Sequence, residues 1–230
     1  MSSQALAKRS KFSGPDDPRV RRALCIVAHP DDIDFFCAGT VLRLTGRRAL
    51  VDFVLVTSGD KGSHEPEATS AELAATRERE QLAAATVLGA GRVEFLRHPD
   101  AEVVESLELR RELVREIRRS RPEVLLTFDP TPGYRQHPDH RAVGRVALDA
   151  AWPCARDRLW YPELGAPHET AEAWLFAGTG AGLVVDVRDE LEEKIRARLL
   201  HRSQTGSPAA LRARWRRMAG EEQFVQVDLR

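Results

Sequence analysis

The run Ala23-Leu24-Cys25-Ile26-Val27-Ala28 is apolar throughout, without the polar alternation of a half-exposed strand. Such a run is a strand buried on both faces, and it needs helices above and below it. The chain supplies them. A helical pattern through Val41, Leu42 and Leu44 stops near Gly46, and the strand-like Val51-Asp52-Phe53-Val54-Leu55-Val56 follows. A loop with Gly59 and Gly62, a long amphipathic helix over about 71–88 and a strand at 93–96 continue the series, then a helix through Leu109, Leu113 and Ile117 and a strand at 124–128. This alternation predicts an α/β fold with a Rossmann-like, mostly parallel sheet flanked by helices. Beyond residue 150 the pattern thins to strands near 173–177 and 183–187 and a charged helix over 190–200.

At 230 residues with 42% hydrophobic side chains the chain supports one sizeable domain, read as 21–230. Residues 1–20 are polar, with Gly14, Pro15 and Pro18, and read as a flexible tail. The 35 basic and 35 acidic groups cancel, so no global field favours nucleic acid or an anionic membrane. No segment reaches the roughly 20 apolar residues that span a bilayer, and Lys8, Arg9 and Lys11 precede no apolar stretch. Cys25, Cys37 and Cys154 are an odd set without C-x-x-C spacing, which reads as reduced thiols in the cytoplasm.

Two clusters sit where strands run out. His29-Pro30-Asp31-Asp32 follows the first strand, and His137-Pro138-Asp139-His140 follows the fourth after Asp129-Pro130-Thr131-Pro132-Gly133-Tyr134. Ligands of open parallel sheets bind beyond the strands' carboxyl ends. Where a dinucleotide fold carries G-x-G-x-x-G, this chain has His-Pro-Asp-Asp, which disfavours a nucleotide cofactor. Together the clusters offer three imidazoles and three carboxylates. Catalytic zinc takes three such ligands and keeps a position for water, leaving an imidazole and a carboxylate for protons. Pro138 suits the first position of a helix, which makes His137 its cap and puts His140 on the first turn. One cluster alone is more often a turn with a capped helix. The pair points to a zinc hydrolase.

Read with their flanks, the clusters resemble the PIG-L or LmbE-like family of zinc-dependent de-N-acetylases. Ala28-His29-Pro30-Asp31-Asp32 looks like the family's A-H-P-D-D signature, and Cys37-Ala38-Gly39-Thr40 is similar to the C-G-G-T-like stretch after it. Arg77 and Glu80 fall in an R-x-x-E stretch before Leu88-Gly89, and Phe95-Leu96 with Pro99-Asp100 resembles the third strand exit. His137 to His140 reproduces H-P-D-H, His201-Arg202-Ser203-Gln204 resembles H-x-S-Q, and Glu222-Gln223-Phe224 resembles the terminal E-x-F. The ordered series covers residues 22 to 226. The chain departs from it after the double Asp, where many members have Glu and this one has Ile33-Asp34.

The resemblance implies that His29, Asp32 and His140 ligate one Zn2+ and that Asp31 is the general base. It further implies that His137 stabilises the oxyanion with Asp139 orienting it, and that Arg77, Asp100 and Tyr134 bind substrate. The reaction it implies removes an acetyl, or a longer acyl, group from a glucosamine-type sugar or conjugate. Two other readings compete: a non-haem Fe(II) oxygenase with a 2-His-1-carboxylate triad, and a non-catalytic sugar-binding relative. Without the motif, Arg77 reads as part of a solvated helix face beside Glu78, Arg79 and Glu80. Arg212, Arg214, Arg216 and Arg217 surround Trp215 with no acid nearby in sequence. They read first as a solvated helix, and otherwise as a contact with a second subunit of a homo-oligomer or with an anionic substrate.

Overall fold

The computed structural model describes residues 11–63, 65–131, 136–180, 182–218 and 220–230. Its strands are β1 (Arg22–Val27), β2 (Leu50–Thr57), β3 (Val93–His98), β4 (Val124–Phe128), β5 (Glu172–Phe176), β6 (Leu183–Asp186) and β7 (Glu221–Asp228). They form one sheet in the order β3-β2-β1-β4-β5-β7-β6. β1 lies inside it, Cys25 facing Phe53 of β2 on one side and Leu126 of β4 on the other. Leu24, Cys25, Ile26, Val27 and Ala28 are all fully buried, as a strand covered on both faces requires.

The helices are α1 (Asp32–Phe36), α2 (Ala38–Gly46), α3 (Ser70–Val87), α4 (Leu107–Ser120), α5 (Pro138–Asp149), α6 (Leu191–Arg198) and α7 (Pro208–Met218). β1 to β2 to β3 steps outward in one direction, and the chain then returns across the sheet to β4. Right-handed crossovers therefore put α2 and α3 on one face and α4 and α5 on the other. α4 shows how the sequence makes such a helix. Ser106 accepts the Leu109 N–H at its start, Leu109, Leu113 and Ile117 bury one stripe, and the chain leaves through Arg121 in a left-handed conformation.

The reversal of direction opens a crevice between the carboxyl ends of β1 and β4, the strands that precede the two clusters. α5 lies hard against β4, and a β-carbon at Gly144 would collide with the Phe128 carbonyl. A larger residue there would push α5, and His140 with it, off the sheet.

Two expectations need correction. The tail reading of 1–20 fails from residue 11 onward: Phe12 and Val20 are buried, and the Phe12 N–H donates to Glu172 Oε1 at 2.8 Å. Residues 1–10 lie outside the described residues. β7 was not foreseen, and it inserts antiparallel between β5 and β6, pairing Trp174 with Gln226 and Leu183 with Phe224. Its Glu221-Glu222-Gln223 start hid it, because the charge on Glu222 is neutralised by a residue remote in sequence.

Candidate active site

His29 leaves β1 into a tight turn. Its N–H donates to Asp32 Oδ2 at 2.7 Å, and the Asp32 N–H returns to His29 O at 3.3 Å. Asp31, between them, is left-handed at φ 89°, a conformation unusual outside glycine and held here by its surroundings. Across the crevice, His137 caps α5, accepting the Asp139 N–H at its Nδ1 (3.2 Å), with Pro138 at the first helical position as expected. That turn aims His140 back at β1.

The result is a compact set of donors. His140 Nε2 stands 3.3 Å from His29 Nδ1 and 3.2 Å from Asp32 Oδ1, and His29 Nδ1 stands 3.5 Å from Asp32 Oδ2. Tetrahedral donors about 2.0–2.2 Å from one ion lie about 3.3–3.6 Å apart, so these residues fit a single divalent cation. The donor chemistry agrees. Asp31, Asp32, Asp100 and Asp139 gather around His29 and His140, and an ion is what such a surplus of carboxylate is built to hold. His140 is held flat against Phe128, ring centroids 3.8 Å apart, with Phe36 edge-on at 6.2 Å. These rings keep one side of the site dry.

The far nitrogen of His29 is also engaged. Nε2 lies 3.1 Å from Asp100 Oδ1 and 3.2 Å from Asp139 Oδ2, the carboxylate support that orients metal-binding imidazoles. Burial opposes a proton on His29, but hydrogen bonds to Asp100, Asp139 and Asp32 outweigh it and raise its pKa, a preference for positive charge at this ring that a cation at Nδ1 would meet in place of the proton. Asp100 is held down to about 2: burial works against its charge, and the His29 contact more than offsets it. Asp139 also accepts the Ala101 N–H at 2.8 Å and the Val103 N–H at 3.3 Å. The Asp139 carboxylate therefore does not face the His137 ring as expected. Its backbone N–H donates to that ring, while its carboxylate is turned to His29 and to the loop after β3.

Asp31 is clamped from both sides. Oδ1 faces Arg77 Nη2 at 3.3 Å, Oδ2 faces Arg198 Nη2 at 3.4 Å, and its N–H donates to Gln81 Oε1 at 3.0 Å. Burial and the adjacent Asp32 carboxylate push Asp31 up to about 6, with Arg77 and Arg198 pulling the other way.

Arg77 is 4% exposed, not part of a solvated helix face. Nη1 donates to Gly59 O at 2.9 Å and Nη2 to Pro30 O at 2.6 Å, and at Gly59 and Gly62 a β-carbon would occupy the guanidinium's place. Asp100 takes the Lys61 N–H on its other oxygen at 3.1 Å. Both residues line the pocket while also serving the site's own groups. His137 is exposed at the pocket mouth; burial followed by the facing His29 lowers its pKa, and because Nδ1 accepts the Asp139 N–H, Nε2 is the nitrogen left to donate. Tyr134 lies outside the described residues.

These side chains, with Phe35 and Gln204, line an open pocket of about 330 Å³. A roomier hollow of about 500 Å³ lies beside Ser58, Glu78, Arg97 and His98. Glu78 there is paired with Arg97, His98 with Glu112, and Asp60 accepts the Asp100 N–H, whereas the smaller pocket gathers the His and Asp donors.

Sequence reasoning missed Arg198, which is 3% exposed. The only signal was its place three residues before His201. His201 itself is fully buried, with Nε2 3.0 Å from Asp34 Oδ2 of α1. Glu222 accepts the Gly39 and Thr40 N–H groups at 2.8 and 2.7 Å and pairs with Lys194 Nζ at 2.6 Å. Trp215 is buried, and the acid missing around it comes from α6, where Glu192 meets Arg216 at 2.9 Å and Arg212 at 3.6 Å.

Comparison with known proteins agrees with this geometry. The chain is 33% identical over 188 residues, 80% of its length and 70% of the relative's, to the diacetylchitobiose deacetylase of Thermococcus kodakarensis. It is 34% identical over 179 residues, 67% of its length but 60% of the relative's, to the 1D-myo-inositol 2-acetamido-2-deoxy-alpha-D-glucopyranoside deacetylase of Streptomyces avermitilis. The structure of N,N'-diacetylchitobiose deacetylase from Pyrococcus horikoshii superimposes with a TM-score of 0.84 at 26% identity, covering 91% of this chain and 84% of that one. The oxygenase alternative gains no support, since these relatives are deacetylases. Residues 24–151 match the family model PIG-L, GlcNAc-PI de-N-acetylase, and the chain is a member of that family.

Proposed function

We propose that this protein is a zinc-dependent deacetylase that removes the N-acetyl, or a longer N-acyl, group from a glucosamine-type sugar or sugar conjugate. The observation that carries the proposal is the convergence of His29 Nδ1, Asp32 and His140 Nε2 within 3.2–3.5 Å of one another, with the partly buried carboxyl of Asp31 beside them in the chain. A divalent ion held by those three residues would supply the Lewis acidity that activates a water and polarises an acetyl carbonyl.

The chain's own groups do the rest. Asp31, raised toward neutrality, takes a proton from the attacking water at a carboxylate oxygen and returns it to the leaving sugar amine. His137 presents Nε2–H to the oxygen on which negative charge develops. Asp100 and Asp139 keep His29 in the ligating orientation, and Arg77 keeps Asp31 in place. The ion-ligating edge is backed by aromatic rings, and half-exposed Phe35 offers an apolar face for sugar C–H groups. Arg77 and Asp100 also line the pocket and are the groups within it placed to meet sugar hydroxyls.

The substrates that name these relatives, diacetylchitobiose and an N-acetylglucosamine–inositol, share the 2-acetamido sugar and differ in what is attached to it. A small, open pocket suits that common part. Three buried free cysteines accord with a reducing, cytoplasmic setting, and no helix among the described residues is long and apolar enough to cross a membrane. A free-amine assay on zinc-loaded protein with N-acetylglucosamine, N,N'-diacetylchitobiose and acylated amino-sugar conjugates tests the proposal. Release of free amine and acetate from at least one supports it. Metal-loaded protein that releases none, or turnover that needs iron and O2, overturns it.

A further inference from the structure

We infer that Arg198 is a positioning residue for Asp31, and that α6 exists in part to deliver it. The inference rests on the deacetylase reading above and adds a residue to it. Lys194, Arg198 and His201 follow one another at the spacing of successive helical turns. All three are buried, at 2%, 3% and 0% exposed, and each meets a different acid. Lys194 holds Glu222, which anchors the first N–H groups of α2. His201 holds Asp34 of α1, and Arg198 holds Asp31 itself.

Arg198 is fixed for that task. Nη1 donates to Thr205 Oγ1 at 2.9 Å, Nη2 donates to Gln204 O at 3.1 Å, and the guanidinium lies 4.6 Å over the ring of Phe35. Phe35 is braced in turn by Trp215 at 5.5 Å, and Lys194 covers the Trp215 ring at 5.6 Å. The fork is thus immobilised at both nitrogens that carry contacts, and Nη2 also faces Asp31 Oδ2. Arg77 alone would leave that oxygen free to swing away from the pocket. Two guanidiniums on two oxygens define the plane of the carboxylate, and a base misplaced by about 1 Å can cost 10²-fold in rate.

The test is a double-mutant cycle on the zinc-loaded full chain, with the acetylated sugar found in the amine assay as substrate. Arg198→Gln keeps a polar group against Thr205 and Gln204 but removes the charge. It should lower kcat about 10- to 100-fold, leave KM within about twofold and leave the metal stoichiometry unchanged. Arg198→Lys, which keeps charge and loses the fork, should lower kcat about 3- to 10-fold. Neither change should matter in an Asp31→Asn background, because a positioning residue has nothing left to position. Wild-type kcat in either folded variant, or an equal loss with and without Asp31, overturns the inference.

Amide hydrogen exchange over residues 29–34 needs no substrate, and Arg198→Gln should speed it about tenfold. Unchanged exchange there overturns the inference even if no acetylated sugar is ever turned over. Failure of the deacetylase reading is visible separately, as metal-loaded wild-type protein that releases no amine from any acetylated sugar.

Discussion

Two charge clusters lie close together in this molecule, and only one of them surrounds the pocket where the chemistry is proposed. Around His29 and His140 the carboxylates of Asp31, Asp32, Asp100 and Asp139 crowd together beside an open pocket. Behind them, Lys194, Arg198 and His201 each face one acid in a closed interior. What differs is the balance of charge and the access: the first cluster holds more acids than bases beside a pocket, where the proposed cation would complete it, and the second is completed by the Lys, Arg and His side chains of the chain itself. Asp31 belongs to both, one oxygen toward each of two guanidiniums and its carboxyl at the pocket.

The comparison breaks first at the ligands. His29→Ala, Asp32→Ala or His140→Ala should each lose stoichiometric metal and at least about 10³ in kcat/KM, the several kcal/mol that a Lewis acid supplies. Elemental analysis beside kinetics checks this, and full occupancy in all three variants would place the metal elsewhere. The opposite pattern should hold in the brace. Lys194→Met leaves the Glu222 carboxylate buried and unpaired, which should cost about 3–5 kcal/mol of stability, read from urea or thermal unfolding. Folded Lys194→Met protein should still bind metal at wild-type stoichiometry.

Asp31→Asn should separate base from ligand at the point where the clusters meet. It should keep the metal while kcat drops about 10²-fold or more, and a metal-loaded variant with wild-type kcat would remove Asp31 from the mechanism. The smallest effect lies far from both clusters. His168 donates Nε2–H to Pro122 O at 2.7 Å, and burial holds its pKa below the usual histidine range. The folded state then binds fewer protons there than the unfolded state, so the contribution is complete above the unfolded value near 6.5 and shrinks as pH falls through it. Between pH 7.5 and 5.5 the urea midpoint of the wild type should fall further than that of His168→Gln. Equal slopes would mean that His168 is as free to protonate in the fold as out of it.

The first cluster was legible in the sequence because its residues follow directly on strands whose buried character is written in their own composition. His29 comes straight after an unbroken apolar run, and Pro138 marks the helix start that makes His137 a cap and turns His140 inward. Asp34, Arg198 and β7 were not legible. A Glu-Glu-Gln strand start looks solvated until Lys194 neutralises Glu222, and an arginine on a charged helix looks solvated until α6 is docked on α1, α2 and α3. Asp139 was misassigned for a related reason. Its nearest imidazole in sequence is His137, but the first turn of α5 directs its carboxylate to His29 and to the amides of Ala101 and Val103.

The order of apolar runs and periodic segments settled the parallel sheet and which residues stand at its carboxyl ends, because burial on two faces and helical spacing are local properties of the chain. Which acid meets which base was decided only by the tertiary structure. The crossing from β3 back to β4 brings positions 29 and 140 within 3.3 Å, and the docking of α6 brings position 198 to position 31. Coulomb and hydrogen-bond partners are chosen by distance in space, and a buried charge has no sequence pattern of its own until the group that neutralises it has arrived.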